Sequence, residues 1–145
     1  MLDSAFVRRK IKLIQEDLGR LEGLAAYRFD ELEQDFVKMG AVERLLEKII
    51  MRAIDINQHL IAELGTGRER IKGYEDTFYA LAELGVYDGA FAKEIAPSAG
   101  LRNRLVHEYN DTKDEIIYGS VRDALAQYAQ YSQHILAFVD RKETV

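Results

Sequence analysis

The stretch AVERLLEKIIMRAIDINQHLIAEL, residues 41–64, decides the fold of this 145-residue chain. Its apolar side chains alternate spacings of three and four residues, the spacing that places side chains on one face of an α-helix. The stretch therefore predicts a long amphipathic helix. Its apolar face consists of Val42, Leu45, Ile49, Ala53, Ile56, Leu60 and Leu64.

Two further stretches repeat this alternation, one before residue 41 and one near the end of the chain. The first predicts a long helix through Val7, Ile11, Ile14, Leu18, Leu21 and Ala25. The second predicts a long closing helix through Ile117, Val121, Ala124, Tyr128, Tyr131, Ile135 and Phe138. No stretch shows the convincing two-residue alternation of a strand.

Shorter helical segments are predicted between the second and the last long helix. They run from about Tyr74 to Leu84, from about Asp88 to Ala96 and from Pro97 to about Tyr109. Glycines and the single proline mark breaks, because Gly ends helices and Pro cannot continue one. These residues are Gly65, Gly67, Gly85 and Pro97, and Asn110-Asp111 predicts a turn.

These elements predict an all-α protein with one domain over residues 1–145, an antiparallel four-helix-type bundle with additional short helices. The segmented region between the long helices supplies the fourth layer. We also expect the acidic residues before the second long helix to favour its positive N-terminal end. These are Asp30, Glu31, Glu33 and Asp35.

Composition excludes several classes of site. The chain has no cysteine, so it has no disulfide, no cysteine-bound metal and no thiol nucleophile. The first residues lack the apolar core of a signal peptide, and no apolar run approaches membrane-spanning length. We therefore expect a cytoplasmic protein without a membrane partner.

The net charge of −5 is unusual for a protein that binds nucleic acid. Local basic clusters are present, but clusters of this kind are typical of exposed helix faces. They comprise Arg8, Arg9, Lys10 and Lys12; Arg68, Arg70 and Lys72; and Arg102 and Arg104.

Most of the other polar and aromatic residues favour structural roles. His59 and His134 lack a second ligand at a metal-binding spacing, so no metal site and no cofactor are predicted. Asp55, in an otherwise apolar turn, is expected either to face solvent, to orient a site residue or to pair with an Arg between helices. Five aromatic residues follow helical spacing, which favours positions in the core or at an interface. They are Tyr74, Phe78, Tyr79, Tyr128 and Tyr131.

The stretch RNRLVHEY, residues 102–109, carries the residues best suited to phosphate chemistry. Arg102 supplies a permanent forked positive charge, and His107 can move protons near neutral pH. On an ideal helix the two lie about 140° and about 7.5 Å apart, so they converge on one phosphate only through the long Arg side chain or a bend. Asn103, four residues before His107, is placed to orient the imidazole.

Metal-free RNA cleavage normally uses one group to remove the 2′-hydroxyl proton and another to protonate the leaving oxygen. Each chain offers a single candidate, His107. A two-fold dimer would supply the second motif, so we expect a homodimer with the site at its interface.

RNRLVHEY, with the preceding EIAPSAGL, resembles the signature of the HEPN superfamily and specifically of its HepT toxin branch. The family pattern R-x4-H-x-Y matches Arg102, His107 and Tyr109 without a gap. The size of the chain, the two long N-terminal helices, the segment AIDINQHLIAELG and the long helix after the motif extend the resemblance over essentially the full length.

The resemblance implies an HEPN-like, homodimeric, metal-independent endoribonuclease that acts as the toxin of a type VII toxin–antitoxin pair. Arg102 and His107 would be catalytic in a cleft at the dimer interface, with Asn103 supporting them and Arg104 a further charge for RNA. The implied partner is MntA, a nucleotidyltransferase antitoxin that transfers AMP to the motif tyrosine, here Tyr109. AMP there would place bulk and negative charge against the RNA path.

A second class of function fits the same residues. The chain would be a non-catalytic binding module that complexes a minimal nucleotidyltransferase and offers Tyr109 as its acceptor. An acidic protein suits this function because no RNA need bind. A helical dimer without any chemistry is the third alternative.

Overall fold

Three long helices form the body of the molecule. The computed structural model describes residues 2–65, 70–101 and 114–144, with side chains in the last range described from residue 117 onward. Within these residues it contains no strand and six bounded helices: α1 (Ser4–Ala25), α2 (Phe29–Glu33), α3 (Phe36–Leu64), α4 (Tyr74–Glu83), α5 (Gly89–Ile95) and α6 (Asp114–Glu143). Residues 98–101 are also helical. The predicted all-α class is confirmed, and α1, α3 and α6 are the three predicted long helices.

Aspartates begin three of the helices. The side chain of Asp3 accepts the Phe6 N–H at 3.0 Å, and that of Asp88 accepts the Phe91 N–H at 2.8 Å. Asp35 accepts the Lys38 N–H at 3.1 Å, which sets the start of α3. Each bond satisfies a backbone donor that has no partner inside its own helix.

The acidic residues before α3 divide between two helices. Asp35 caps α3, but Asp30, Glu31 and Glu33 lie in the separate helix α2. The prediction that all four favour the N-terminus of the second long helix is therefore correct for Asp35 and wrong for the other three. Asp30 and Glu31 occupy the first turn of α2, where a negative charge favours that helix instead.

Glycines end helices as predicted where the structure describes them. Gly65 follows α3 and donates its N–H to the Ile61 carbonyl at 2.9 Å. Gly85, just after α4, has φ +85°, a left-handed conformation that costs glycine least. Gly67 lies outside the described residues.

Side-chain pairs between the helices define the direction of the bundle. The Asp3 N–H lies 3.0 Å from His59 Nε2, and Lys10 Nζ lies 3.1 Å from Asp55, so α1 and α3 run antiparallel. Arg8 reaches Asp140 at 2.6 Å, while the carbonyl of Tyr27 beyond the other end of α1 accepts from Tyr118. Helices α1 and α6 are therefore also antiparallel, and the predicted antiparallel packing is confirmed for these pairs.

The three long helices bury the apolar stripes that the sequence predicts. Helix α4 adds Phe78 and Leu81 to the same core, and α5 adds Phe91, Ala92 and Ile95. The fully buried members with the largest side chains include Ile11, Ile14, Leu21, Leu46, Ile49, Ile50, Tyr128 and Tyr131. The predicted fourth layer is thus built from short helices, since α4 and α5 pack on the long ones.

One carboxylate is buried in the seam between α1 and α3. Asp17 is 1% exposed and forms ion pairs with Arg20 on its own helix and with Lys48 and Arg52 on α3. Arg52 also donates to the Leu13 carbonyl at 3.4 Å. The surrounding cations compensate the cost of removing this charge from water, so Asp17 ties the two helices together.

A buried hydrogen-bond chain joins three helices at the centre of the bundle. The Tyr131 hydroxyl donates to Asn57 Oδ1 at 2.6 Å and lies 3.0 Å from the Ala53 carbonyl. Asn57 Nδ2 donates to the Thr77 hydroxyl at 3.0 Å, and that hydroxyl donates to the Tyr74 carbonyl at 2.6 Å. Helices α3, α4 and α6 thereby satisfy one another's buried polar groups.

Replacing Tyr131 by Phe is expected to lower the free energy of unfolding by about 1–3 kcal/mol, because Asn57 Oδ1 is left buried without its donor. Urea denaturation followed by circular dichroism measures the change. Tyr79→Phe, at a residue whose side chain is 39% exposed, is the matched control and should change stability by less than about 0.5 kcal/mol. Equal effects of the two substitutions would contradict the importance of the buried chain.

Candidate functional site

The predicted catalytic motif lies outside the described residues. This applies to Arg102, Asn103, Arg104, His107 and Tyr109, and to the predicted turn at Asn110-Asp111. Their roles and mutual geometry stay predictions. The structure describes the two ends between which the motif runs, residue 101 before it and Asp114 after it.

A hydrogen-bonded serine fixes the chain just before the motif. The Ser98 hydroxyl donates to the Ile95 carbonyl at 2.7 Å and lies 2.6 Å from the hydroxyl of Tyr128 on α6. Because the single Ser98 proton is already used, Tyr128 is the donor in the second bond. Burial raises the pKa of the Tyr128 hydroxyl well above its usual value, so it remains a neutral donor.

Apolar burial reinforces this anchor. Ile95 and Ala96 are fully buried, Ala99 is 2% exposed and Leu101 is 5% exposed. These residues place the helical turn over 98–101 on the core, and Arg102 follows it directly. We name residues 95–101, with Tyr128, the motif anchor.

The start of α6 is fixed on the other side of the motif. Ile117 and Val121 are buried against the core. The Tyr118 hydroxyl donates to the Tyr27 carbonyl at 2.7 Å, and its ring centroid lies 5.6 Å from that of Phe29. The chain thus leaves the motif into a helix whose first turns are held by α1 and α2.

A groove of about 240 Å³ opens beside the motif anchor. Its lining carries two carboxylates, Glu94 and Asp123, and no basic side chain among the described residues. A groove of this kind does not attract phosphate by itself. Its lining residues are Ile50, Glu94, Pro97, Ser98, Leu101, Ser120, Asp123, Ala124 and Gln127.

Several residues of the predicted basic clusters are engaged in ion pairs. Arg8 pairs with Asp140 at 2.6 Å and with Glu143 at 3.0 Å, and these hydrogen bonds raise the pKa of its guanidinium. Lys10 pairs with Asp55, and Arg70 with Glu83 at 3.3 Å. These pairs fit the interpretation of the clusters as charged helix surface. Arg68 lies outside the described residues.

The two histidines outside the motif have structural contacts. His59 Nε2 accepts the Asp3 N–H, and its ring lies 5.1 Å from that of Phe6. His134 packs against Tyr87 and Phe91, with centroids 5.8 and 5.0 Å away. Across residues 2–65, 70–101 and 117–144, no three His, Asp or Glu side chains are grouped as metal ligands would be.

Asp55 serves as a contact between helices. Its partner is Lys10, so the predicted pairing with an Arg is wrong, and its side chain is 37% exposed, in agreement with the alternative that it faces solvent. Of the aromatics assigned to core or interface, Phe78, Tyr128 and Tyr131 are fully buried and Tyr74 is partly buried. Tyr79 is 39% exposed and is not a core residue.

Sequence reasoning missed the polar residues that support the site. Asn57 falls among the apolar positions of α3, four residues after Ala53, and this signal marks it as buried. Ser98 directly follows Pro97, and nothing in the sequence indicates that its hydroxyl bonds to Tyr128, 30 residues later. The length and hydropathy of the helices, as far as the structure describes them, do not suffice for any of them to cross a membrane.

Comparison with known proteins finds a family model and relatives that match most of the chain. A family model described as Ribonuclease HepT-like matches residues 14–135, a range that includes the motif. A tRNA nuclease HepT of Aphanizomenon flos-aquae (strain 2012/KM1/D3) is 36% identical over 141 residues, covering 95% of this chain and 92% of that protein. An mRNA nuclease HepT of Shewanella oneidensis is 26% identical over 133 residues, covering 92% of each.

A solved structure shares the fold. A tri-AMPylated Shewanella oneidensis HEPN toxin in complex with MNT antitoxin matches with a TM-score of 0.80 at 24% identity, covering 94% of this chain and 99% of that chain. The predicted HEPN-like fold is confirmed by this match.

Replacing Tyr128 by Phe should loosen the motif anchor, because Ser98 loses the hydroxyl that holds it to α6. Hydrogen exchange followed by mass spectrometry is expected to show about a tenfold faster exchange in peptides covering residues 95–101, equivalent to the loss of one ordinary hydrogen bond. Tyr79→Phe is the control. Unchanged exchange in Tyr128→Phe would show that apolar burial alone holds the anchor.

Proposed function

This chain belongs to the ribonuclease HepT-like family, and from that premise we propose that it is a metal-independent endoribonuclease, the toxin of a toxin–antitoxin pair. The observation that carries the proposal is the family match over residues 14–135. This range includes RNRLVHEY, the motif anchor before it and the start of α6 after it. The chain is fixed on the core by buried residues before and after the motif. Such support is what positioned catalytic groups require.

In the proposed mechanism Arg102 and His107 act on the RNA phosphodiester. One imidazole takes the proton of the 2′-hydroxyl, whose oxygen attacks phosphorus, and the bond from phosphorus to the 5′-oxygen breaks. The departing oxygen receives a proton from the second imidazole, His107 of the partner subunit, and a 2′,3′-cyclic phosphate remains. Arg102 stabilises the extra negative charge at phosphorus, and Asn103 orients the imidazole. The site is therefore a cleft between two copies.

We propose transfer RNA as the substrate. The relative named as a tRNA nuclease is 36% identical to this chain, whereas the one named as an mRNA nuclease is 26% identical. The groove beside the motif anchor carries carboxylates, so contact with the RNA backbone is assigned to the motif itself. Positive charge then comes chiefly from Arg102 and Arg104.

Control of this activity is assigned to Tyr109. The structural relative is an AMPylated toxin bound to MNT antitoxin, and this supports a nucleotidyltransferase partner for the present chain. AMP on Tyr109 adds bulk and negative charge two residues from His107. That charge repels the RNA backbone and competes for Arg102.

His107→Ala is expected to reduce cleavage of purified tRNA by about 100-fold or more, because it removes the proton-transfer group. Denaturing gel electrophoresis of end-labelled tRNA measures the rate, and circular dichroism with light scattering checks fold and dimer. His134→Ala removes the same chemical group from an aromatic contact on α6 and should leave the rate within about twofold, as expected away from the reacting atoms. Full cleavage by His107→Ala would overturn the proposed catalyst.

Tyr109→Phe is expected to abolish AMP transfer while keeping tRNA cleavage. Intact mass spectrometry after incubation with the nucleotidyltransferase and ATP should show added AMP units on the unmodified chain and none on the variant. Tyr79→Phe, at an exposed tyrosine on α4, should accept AMP as the unchanged protein does. Continued transfer to Tyr109→Phe would place the acceptor elsewhere.

A second function is favoured by the acidic character of the surface. The net charge is −5, and the groove beside the motif anchor carries carboxylates without a described basic residue. A non-catalytic acceptor subunit for a nucleotidyltransferase needs no RNA contact. In that case the purified protein does not cut tRNA at all, yet gains AMP on Tyr109 when partner and ATP are supplied.

A further inference from the structure

Large apolar side chains are exposed where α2 meets α3. Phe36 is 92% exposed, Val37 is 77% exposed and Tyr27 is 39% exposed. Single exposed apolar residues are ordinary, but a contiguous group on a folded protein marks an interaction site. We name Tyr27, Phe36 and Val37 the corner patch.

Phe36 is exposed on a regular helix and not in a loop. The Asp35 cap sets the start of α3, so Phe36 and Val37 lie in its first turn. Phe36 precedes the buried Met39 by three residues and continues the apolar stripe of α3 toward the end of the helix. Helix α1 has already ended at Ala25, so the stripe projects beyond its packing partner.

Tyr27 belongs to the same surface through Lys38. The Lys38 ammonium lies 5.1 Å from the centroid of the Tyr27 ring and 2.9 Å from Asp35 Oδ2. This side chain therefore bridges the chain after α1 and the first turn of α3. The bridge holds Tyr27 beside the start of the apolar pair.

The corner patch has an acidic rim. Between residues 28 and 38 four acidic side chains stand against two basic ones, which gives a net charge of −2. Arg28 pairs with Asp30 and Glu31, and Lys38 pairs with Asp35, while Glu33 is exposed. RNA is repelled by such a rim, and a second copy docked here about a two-fold axis would face it with the same charge. A protein with an apolar pocket and a basic rim is complementary to it.

The corner patch lies at the end of the bundle where α6 follows the motif. Tyr118, in the first turns of α6, bonds to the Tyr27 carbonyl and packs on Phe29. In sequence, Tyr118 comes nine residues after Tyr109. A protein bound to the corner patch therefore lies beside the first turns of α6, the helix that follows the motif in sequence.

We propose that the corner patch is the docking surface for the nucleotidyltransferase that modifies Tyr109. This inference rests on the proposed function, and it adds the recognition surface to it. Phe36 and Val37 enter an apolar pocket of the enzyme, and the Glu33 side of the rim pairs with lysines or arginines around that pocket.

The test uses the chain of residues 1–145 and a minimal nucleotidyltransferase of the MNT type, the class of partner seen with the structural relative. Phe36→Ser together with Val37→Ser should weaken binding of the enzyme by about tenfold or more in calorimetry, as loss of a central apolar anchor does. AMP transfer at limiting enzyme should fall in proportion, whereas tRNA cleavage and thermal midpoint stay unchanged. Tyr79→Ser, which removes a large exposed side chain from α4, is the matched control and should bind normally.

A charge variant tests the rim separately. Glu33→Lys should weaken binding and reduce its dependence on salt, since one attractive charge becomes repulsive. It leaves the apolar pair in place. Binding that is unaffected by Glu33→Lys would overturn the assignment of a basic rim to the enzyme.

Other outcomes overturn the proposal in distinguishable ways. Unchanged affinity of the double variant, or absence of any binding by the unmodified chain, removes the corner patch as a docking surface. A shift from dimer to monomer in light scattering assigns the patch to self-association, and lost cleavage with an intact dimer assigns it to RNA. If the unmodified chain does not cut tRNA but the variants still lose the enzyme, the ribonuclease proposal fails and the docking surface stands.

Discussion

The buried hydrogen-bond chain from Tyr131 through Asn57 to Thr77 is the constraint on which the arrangement of the helices depends. Apolar stripes bring α1, α3 and α6 together but tolerate sliding, because contacts between similar side chains are not directional. Polar groups sealed among them accept one register only, since any shift leaves a buried donor or acceptor unpaired. Tyr131 also belongs to the helix that carries Tyr128, one turn earlier. The register of the core therefore sets where the motif anchor sits.

Ion pairs join α1 to the other two long helices, and exposed apolar side chains lie elsewhere, where α2 meets α3. Asp17 fastens α1 to α3 inside the seam, and Arg8 fastens α1 to the end of α6. Arg8 and Lys10 of the N-terminal cluster are held in ion pairs, and the positive charge that we propose for the phosphodiester lies in the motif, at Arg102 and Arg104. The acidic α2–α3 region is left for contacts with protein. A net charge of −5 is thus compatible with a ribonuclease whose contacts to the RNA phosphates come from one short segment.

Periodicity was sufficient to predict the three long helices and the helical class, because each buries a continuous stripe against the others. It could not predict α2, since five residues between two turns leave no periodic signal. Gly85 and the caps at Asp35 and Asp88 act locally, and local signals survive in sequence. The partners of Ser98 and Asp17 lie 30 and 35 residues away, so only the folded chain reveals them. The family was predictable from RNRLVHEY and is confirmed, whereas the roles of Arg102, Asn103, His107 and Tyr109 stay predictions.

The bond between Tyr128 and Ser98 has a consequence for synthesis of the protein. Translation produces RNRLVHEY well before the codon for Tyr128, and α6 folds onto the bundle only after it has left the ribosomal tunnel. During that interval the residues before the motif have neither the tyrosine hydroxyl nor the wall of α6 against them. The motif anchor is consequently one of the last parts of the fold to form, because it is complete only once α6 has packed onto the bundle.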